Sequence, residues 1–263
     1  MTPSHAAARL LLLVALAAGW AMPAPAAMRD GGRSRIVEVV DADTVVLADG
    51  REVRMVGIQA PKLPLGRKGF RAWPLAAEAR QALVDLALGA DVRLAHGGQD
   101  RDRHGRVLAH LYDDRRDLWL QGWMLEQGWA RVYTFPDNRA LVDEMLAAER
   151  RARAARRGIW GHRFYAIRTP DSVGRDLNTF QVVRGCATQV AEAGNRLYVN
   201  FGADWRSDFT IAIDRRDYRR YDGFGWLRPG EPGPCLRVRG WVKPRNGPMI
   251  EVTHPEQIER LER

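Results

Sequence analysis

Beyond its first 27 residues, the sequence lacks any apolar run long enough to cross a bilayer, which takes about 20 residues. At the N-terminus, Arg9 precedes an apolar stretch over residues 10–20, and Ala24-Pro25-Ala26 then forms a small-x-small site. This order is typical of a signal peptide over residues 1–27, so we expect cleavage after Ala26 or Ala27. The mature protein is then periplasmic or secreted and spans no membrane. An uncleaved anchor is the alternative.

Cysteine is scarce as well, and this limits the chemistry available through sulfur and metal. The only two cysteines are Cys186 and Cys235, and no catalytic Cys/His signature surrounds either of them. Neither His104 nor His110 has a second histidine or cysteine at ligand spacing, so a zinc site is not expected. In an oxidising, exported compartment, two cysteines in one half of a chain favour a disulfide, which we predict between Cys186 and Cys235.

Lysine is the third scarce residue, with Lys62, Lys68 and Lys243 as the only examples. Arginine therefore supplies most of the positive charge, and 41 basic against 32 acidic residues give a formal net charge of +9 at pH 7. A basic surface favours polyanions, nucleic acid first. Genome composition is an alternative explanation of the arginine bias, so charge alone does not assign nucleic-acid binding.

The first half of the sequence mixes strand and helix patterns. Branched residues indicate strands at 36–40, 44–48 and 52–56, with an Asp49-Gly50 hairpin turn between the second and third. The remaining segments, listed in chain order, are a helix at 75–88, strands at 91–95 and 106–112, and helices at 118–126 and 137–157. We expect one domain over residues 33–161 that contains a β-meander, a helix, two strands and two helices.

The second half is predicted to be all-β. Residues 162–177 lack periodicity and are predicted to be a linker, and residues 178–263 a small OB-like barrel. Five strands are expected, at 179–183, 197–201, 209–213, 236–242 and 249–252. Aromatic residues are numerous here: Tyr198, Phe201, Trp205, Phe209, Trp226 and Trp241. Exposed aromatics stack on nucleic-acid bases and buried ones fill a β core, and the sequence supports either role.

Several short motifs in the first half occur in an order that points to one family. Residues 40–44 read V-D-A-D-T, Glu78-Ala79 lies in the first turn of the helix predicted at 75–88, residues 102–106 read D-R-H-G-R, and residues 157–160 read R-G-I-W. Together with Arg54, these motifs resemble the thermonuclease (staphylococcal-nuclease-like) family over residues 36–160. The resemblance implies a mainly β, α+β fold in which a five-stranded OB barrel carries three helices.

The resemblance also implies a calcium ion and a set of residues that cleave nucleic-acid phosphodiesters. Asp43 matches the family's calcium-binding aspartate and Asp41 a supporting acid. Arg54 and Arg106 match the catalytic arginines that clamp the phosphate. The alternative roles are a turn in which the two aspartates bind backbone amides, and ion pairing for the two arginines.

Two acids of the family pattern are replaced in this chain. The family has an aspartate at the position of Gln59 and a glutamate at the position of Lys62. Gln59 offers a cation only a neutral oxygen, and Lys62 places positive charge where the metal would bind. We therefore expect calcium binding to be weakened or lost, with Lys62 paired to Asp43 or Asp41.

The loop that follows these positions is basic. Lys62, Arg67, Lys68 and Arg71 are predicted to contact nucleic acid beside the cleft, or else to form an ordinary solvated loop. Two functions follow for a protein expected to be monomeric. It is an exported thermonuclease-type enzyme acting on DNA or RNA, with weak or absent hydrolysis, or it is an inactive module that binds nucleic acid or an envelope partner.

Overall fold

The structure is a computed structural model that describes residues 28–261 of the chain. The predicted signal peptide lies outside the described residues. No helix between residues 28 and 261 is long and apolar enough to span a membrane.

The first half of the described chain forms a closed five-stranded barrel with three helices. Its elements, in chain order, are β1 (Arg29–Asp41), β2 (Thr44–Leu47), β3 (Glu52–Met55), β4 (Ile58–Gln59), α1 (Ala76–Ala87), β5 (Asp91–His96), β6 (Val107–Asp113), β7 (Leu118–Trp119), α2 (Leu120–Glu126), β8 (Arg131–Val132) and α3 (Val142–Ala154).

The barrel closes through one parallel strand pair. Strands β1, β2 and β3 form an antiparallel meander, β3 pairs in parallel with β6, and β5 links β6 back to β1. Gly50 in the β2–β3 hairpin has a φ of 83°, a left-handed conformation that glycine adopts without strain. The predicted OB-type barrel and its three helices are confirmed.

The predicted start of the third helix was wrong. We expected it at Asp137, but α3 begins at Val142 after Leu141, which has a φ of 57°. The carbonyl oxygen of Asp137 accepts a hydrogen bond from Gln99 N at 3.1 Å, and the Asn138 side chain donates to Gln99 O. These contacts with another loop hold residues 137 and 138 outside the helix.

The second half forms another barrel. After short 3-10 turns at Gly158–Gly161, Arg163–Tyr165 and Val173–Asp176, its elements are β9 (Phe180–Cys186), β10 (Gln189–Ala193), β11 (Arg196–Asn200), β12 (Thr210–Asp214), α4 (Arg215–Arg220), β13 (Cys235–Pro244), β14 (Pro248–Val252) and β15 (Ile258–Arg260). Strands β10 and β15 and helix α4 were not predicted.

The strand order of the second barrel repeats that of the first. Strands β10, β11 and β12 are antiparallel neighbours, β12 pairs in parallel with β14, and β13 links β14 to β9. Only residues 187–188 separate β9 from β10, so these two strands act as one bent strand that closes the sheet. Cys186 and Cys235 face each other across β9 and β13 with Cα atoms 3.8 Å apart, and the predicted disulfide is present.

The aromatic residues of the second barrel divide between core and surface. Phe209 is buried in the core, and Phe201 and Trp226 pack against it. Trp205 and Trp241 remain 49% and 43% exposed. Trp205 and Trp241 are therefore the most accessible of the tryptophan and phenylalanine rings named here, while Tyr198 is half-buried.

Buried ion pairs join the two barrels along a seam. Arg239 of β13, 1% exposed, donates to Glu149 Oε2 of α3 at 2.9 Å and to Glu259 Oε1 of β15 at 2.6 Å. Arg153 donates to Glu149 Oε1 at 2.8 Å. Burial alone would raise the pKa of Glu259, but these arginines outweigh burial and hold the pKa at about 2.

Candidate functional site

Two aspartates lie at the turn between β1 and β2. Asp43 is fully buried and Asp41 is 4% exposed. Asp43 Oδ2 accepts a hydrogen bond from Ala60 N at 2.7 Å, and Asp41 Oδ1 accepts one from Asp43 N at 3.1 Å. The aspartates therefore do bind backbone amides, and each still has a carboxylate oxygen directed at another partner.

That partner is Lys62. Its Nζ lies 2.6 Å and 2.7 Å from the two carboxylate oxygens of Asp43 and 3.2 Å from Asp41 Oδ2. Lys62 was predicted to pair with Asp43 or Asp41, and its ammonium contacts both carboxylates. An ammonium thus lies against the oxygens that the family resemblance assigns to a cation.

Arg54 of β3 completes this cluster. Its Nη1 lies 3.2 Å from Asp43 Oδ1 and also donates to Met55 O at 2.9 Å, while Nη2 donates to Ile58 O at 2.6 Å. The side chain is 14% exposed. Arg54 is therefore bonded mainly within the fold, which matches the ion-pairing alternative for this arginine, and one edge remains open to the cleft.

The two aspartates respond differently to burial. Burial alone would raise the pKa of Asp43, but the charges of Arg54 and Lys62 outweigh it and hold the pKa well below its usual range. Burial raises the pKa of Asp41, and the Asp43 charge adds to this, while Lys62 opposes it. Asp43 is thus the carboxylate that carries the negative charge between the two cations.

Gln59 is directed at a different partner. Its Oε1 accepts hydrogen bonds from Arg131 Nε at 3.0 Å and Arg131 Nη2 at 2.7 Å. Arg131 is 4% exposed and lies over the Phe180 ring at 4.6 Å, and burial lowers its pKa to about 10. The amide oxygen of Gln59 is therefore engaged by a buried guanidinium, and the predicted weak metal ligand has another role in this structure.

Arg106 lies with Arg54 at one cavity. Arg106 donates through Nε and Nη2 to Asp102 Oδ2 at 2.8 Å and 2.7 Å, and its side chain is 29% exposed. The cavity has a volume of about 600 Å³, and Arg54, Arg106, Tyr133, Phe135 and Trp241 are among the residues that line it. The family resemblance predicted that the two arginines lie together, whereas no sequence motif pointed to Tyr133 or Phe135.

The basic loop lies on the surface. Arg67, Lys68 and Arg71 are exposed, and none of them forms an ion pair with a carboxylate of residues 28–261. The Arg67 guanidinium lies 3.9 Å from the centre of the Phe70 ring and donates to Leu63 O at 2.5 Å. These cations are available to a polyanion, which the sequence predicted as one of two alternatives for this loop.

The residues present do not fit a calcium ion. Calcium takes six to eight oxygen ligands, including several carboxylates. Across residues 28–261, no three His, Cys, Asp or Glu side chains are grouped as a metal site requires. Lys62 contacts three of the four carboxylate oxygens of Asp41 and Asp43, and Gln59 is bonded to Arg131.

Comparison with known proteins gives one family. The staphylococcal nuclease homologue family matches residues 52–162. Protein ParB of Escherichia coli is 32% identical over 166 residues, 59% of this chain and 82% of that protein. The thermonuclease of Staphylococcus hyicus is 24% identical over 131 residues, 49% of this chain and 75% of that protein.

A plant relative shares the same region. A probable staphylococcal-like nuclease of rice (Oryza sativa subsp. japonica) is 36% identical over 119 residues, which are 45% of this chain. This chain covers 28% of the length of that rice protein. The matching family, the relatives and the closed barrel agree, and the chain belongs to the staphylococcal nuclease homologue family.

Proposed function

We propose that this protein binds nucleic acid in the cleft of its first barrel and does not use calcium to hydrolyse it. The observation that carries the proposal is the ammonium of Lys62, 2.6–2.7 Å from both carboxylate oxygens of Asp43. Nucleases among the relatives support a nucleic-acid ligand. In this proposal the chain has two domains, at residues 33–161 and 178–263, and the first supplies the phosphate contacts.

The chemistry of an ammonium explains why calcium-dependent hydrolysis would be lost. A bound metal ion offers open coordination positions to water and to a phosphate oxygen. Lys62 neutralises the acids electrostatically but offers no such positions, and while protonated it cannot accept a proton from water. Asp43 is buried and bonded to Lys62 and Ala60 N, so it is not free to act as a base.

Nucleic-acid binding, unlike hydrolysis, does not require a calcium ion. Arg106 is partly exposed at the cavity, where its guanidinium can share its donors between Asp102 and a phosphate. The exposed Arg67, Lys68 and Arg71 add positive charge on the loop that follows Lys62. Contacts of this kind neutralise phosphates and give an affinity that falls as salt is raised.

We also propose that binding takes place outside the cytoplasm. The signal-peptide pattern of residues 1–27 supports export, with the mature protein periplasmic or secreted. The disulfide between Cys186 and Cys235 supports an oxidising compartment. N-terminal sequencing of the exported protein tests this, because a chain that retains residues 1–20 would contradict signal cleavage.

A paired binding and cleavage assay tests the proposed function. The purified mature protein is mixed with single- and double-stranded DNA and RNA, with calcium and with a chelator. We expect salt-dependent binding and no increase of cleavage with calcium. Calcium-dependent cleavage that disappears in Asp43→Asn would overturn the proposal and make the chain a metal-assisted nuclease.

A further inference from the structure

The second barrel presents a tryptophan to the cleft of the first. We propose that Trp241 stacks on an unpaired base of the bound nucleic acid, so that the second barrel completes the binding site. This inference rests on the proposed function, because it assumes that the cavity beside Arg54 and Arg106 holds nucleic acid. Trp241 belongs to the part of the chain that lies beyond the family match at residues 52–162.

Trp241 lies on the outer face of its sheet. It lies in β13 between Gly240 and Val242, both of which are buried, and pairs with Phe180 of β9. Alternation along the strand directs Trp241 out of its own barrel core. Its ring is 43% exposed and that of Phe135 is 48% exposed, so two large apolar rings are accessible beside the charged cavity, as at a contact surface.

Neighbouring rings hold the indole in place. Trp241 Nε1 donates to Tyr133 Oη at 3.0 Å. The Tyr133 ring packs edge-on against Phe180 at 4.8 Å and against Phe135 at 4.9 Å between centroids. Because the indole is fixed at its polar edge, a base stacking on its exposed surface would cost little side-chain entropy.

Trp241 lies at the same cavity as two arginines, so bases and phosphates of one strand could be bound together. The cavity of about 600 Å³ has Arg54 and Arg106 among its lining residues and Trp241, Phe135 and Tyr133 among the same set. A second cavity of about 230 Å³ is also lined by these three aromatic residues and includes Lys243. Cationic and aromatic groups within one groove are the combination that binds the phosphates and bases of single strands.

The experiment compares binding of an oligonucleotide with binding of a sugar-phosphate polymer that carries no bases. The affinity of the mature protein is measured by fluorescence anisotropy for a short oligothymidylate and for a base-free deoxyribose-phosphate chain of equal length. The variants are Trp241→Ala, Trp241→Phe and Tyr133→Phe. Trp205→Ala is the matched control, because Trp205 is 49% exposed on the same barrel but lines neither cavity.

We expect Trp241→Ala to weaken oligothymidylate binding by about 5- to 150-fold, the range of one base stack, and to leave binding of the base-free polymer unchanged. Trp241→Phe and Tyr133→Phe keep both rings and should retain most of the affinity, and Trp205→Ala should retain all of it. Thermal unfolding confirms that each variant is folded.

Three results would overturn the inference. Trp241→Ala would match Trp205→Ala, or would weaken both probes equally, or Trp241→Phe, which keeps a ring but loses the Nε1–H donor, would reproduce its full loss and show that Trp241 acts only by holding Tyr133. If the wild-type protein binds neither probe, the proposed function fails as well, and this outcome is distinct from the other three.

Discussion

The two barrels share one strand order but place their buried charges differently. The first barrel holds Asp43, Arg54 and Lys62 at the end of its own β1–β2 turn, beside a cavity. The corresponding turn of the second barrel is Gly194-Asn195, which has no acidic pair. The buried charge of the second barrel, Arg239, faces the first barrel across the seam.

This difference shows that strand order alone does not determine what a barrel does. The same closed sheet carries a potential ligand site in one barrel and an interface in the other, so the function follows from the side chains placed on the sheet. Different interactions stabilise each barrel. The first has the larger buried apolar cluster, and the second has the disulfide.

The seam should be the most sensitive part of the structure to loss of one charge. Glu149→Gln keeps the shape of the side chain but leaves Arg153 and Arg239 without their shared carboxylate. We expect the free energy of unfolding to fall by about 3–5 kcal/mol, measured by urea denaturation. The control Glu126→Gln breaks an exposed pair with Arg151 and should cost at most about 1 kcal/mol. Equal losses would show that the seam is no more than a surface contact.

The disulfide should matter to the second barrel alone. Replacing Cys186 and Cys235 together by alanine opens a loop whose ends are 49 residues apart in sequence. We expect a loss of about 2–4 kcal/mol. Hydrogen exchange should accelerate in β9 and β13 and remain unchanged in β1 and β5. If hydrogen exchange accelerated equally in both barrels, the disulfide would not stabilise the second barrel alone.

Acid should destabilise both barrels through one buried histidine each. Burial lowers the pKa of His110 and of His254 to about 4, below the usual 6.5. The unfolded chain therefore binds more protons between pH 6.5 and 4, and stability falls as the pH falls through this window. Between pH 6.5 and 5 we expect each ring to remove about 1.5 kcal/mol of unfolding free energy.

A histidine variant shows whether the two barrels contribute equally. His110→Leu removes one titrating ring and should halve the dependence of unfolding free energy on pH between 6.5 and 5. Urea denaturation at several pH values measures both slopes. A wild-type protein that becomes more stable on acidification over this range would contradict the burial of both rings.

The basic loop of the first barrel should give the smallest effect. Lys68→Ala removes one exposed cation, so we expect a small loss of affinity for double-stranded DNA. The slope of log K against log salt should fall in magnitude by about 0.9 for one lost phosphate contact. Arg184→Ala, an exposed arginine of the second barrel, is the control and should leave the slope unchanged. Equal slopes for the two variants would show that the loop does not contact the phosphates.

The sequence predicted the parts of the site that lie within local motifs. The family resemblance carried by the V-D-A-D-T motif, with Lys62 at the position of a family glutamate, was enough to predict that an ammonium pairs with Asp43 or Asp41. The contact between Gln59 and Arg131 spans 72 residues, and that between Tyr133 and Trp241 spans 108. No local pattern encodes these contacts, because they depend on how β4 pairs with β8 and how the barrels meet.

Strand prediction failed where the β pattern is weak. Strand β10 reads Q-V-A-E-A, is mostly exposed, and has one β-branched residue. Strand β15 is three residues long and follows a 3-10 turn. Both are held by pairing with a neighbouring strand, β11 and β13 respectively, so their conformation comes from tertiary structure more than from local preference.

The central claim is that the ammonium of Lys62 takes the place of a calcium ion, and a calcium titration of thermal stability tests it most directly. The single variant Lys62→Glu is the appropriate comparison, because an aspartate introduced at position 59 would pair with Arg131. We predict that calcium leaves the Tm of the wild-type protein unchanged and raises the Tm of Lys62→Glu, as expected when a ligand binds only the folded state. A calcium-dependent rise in the wild-type Tm that disappears in Asp43→Asn would contradict the account.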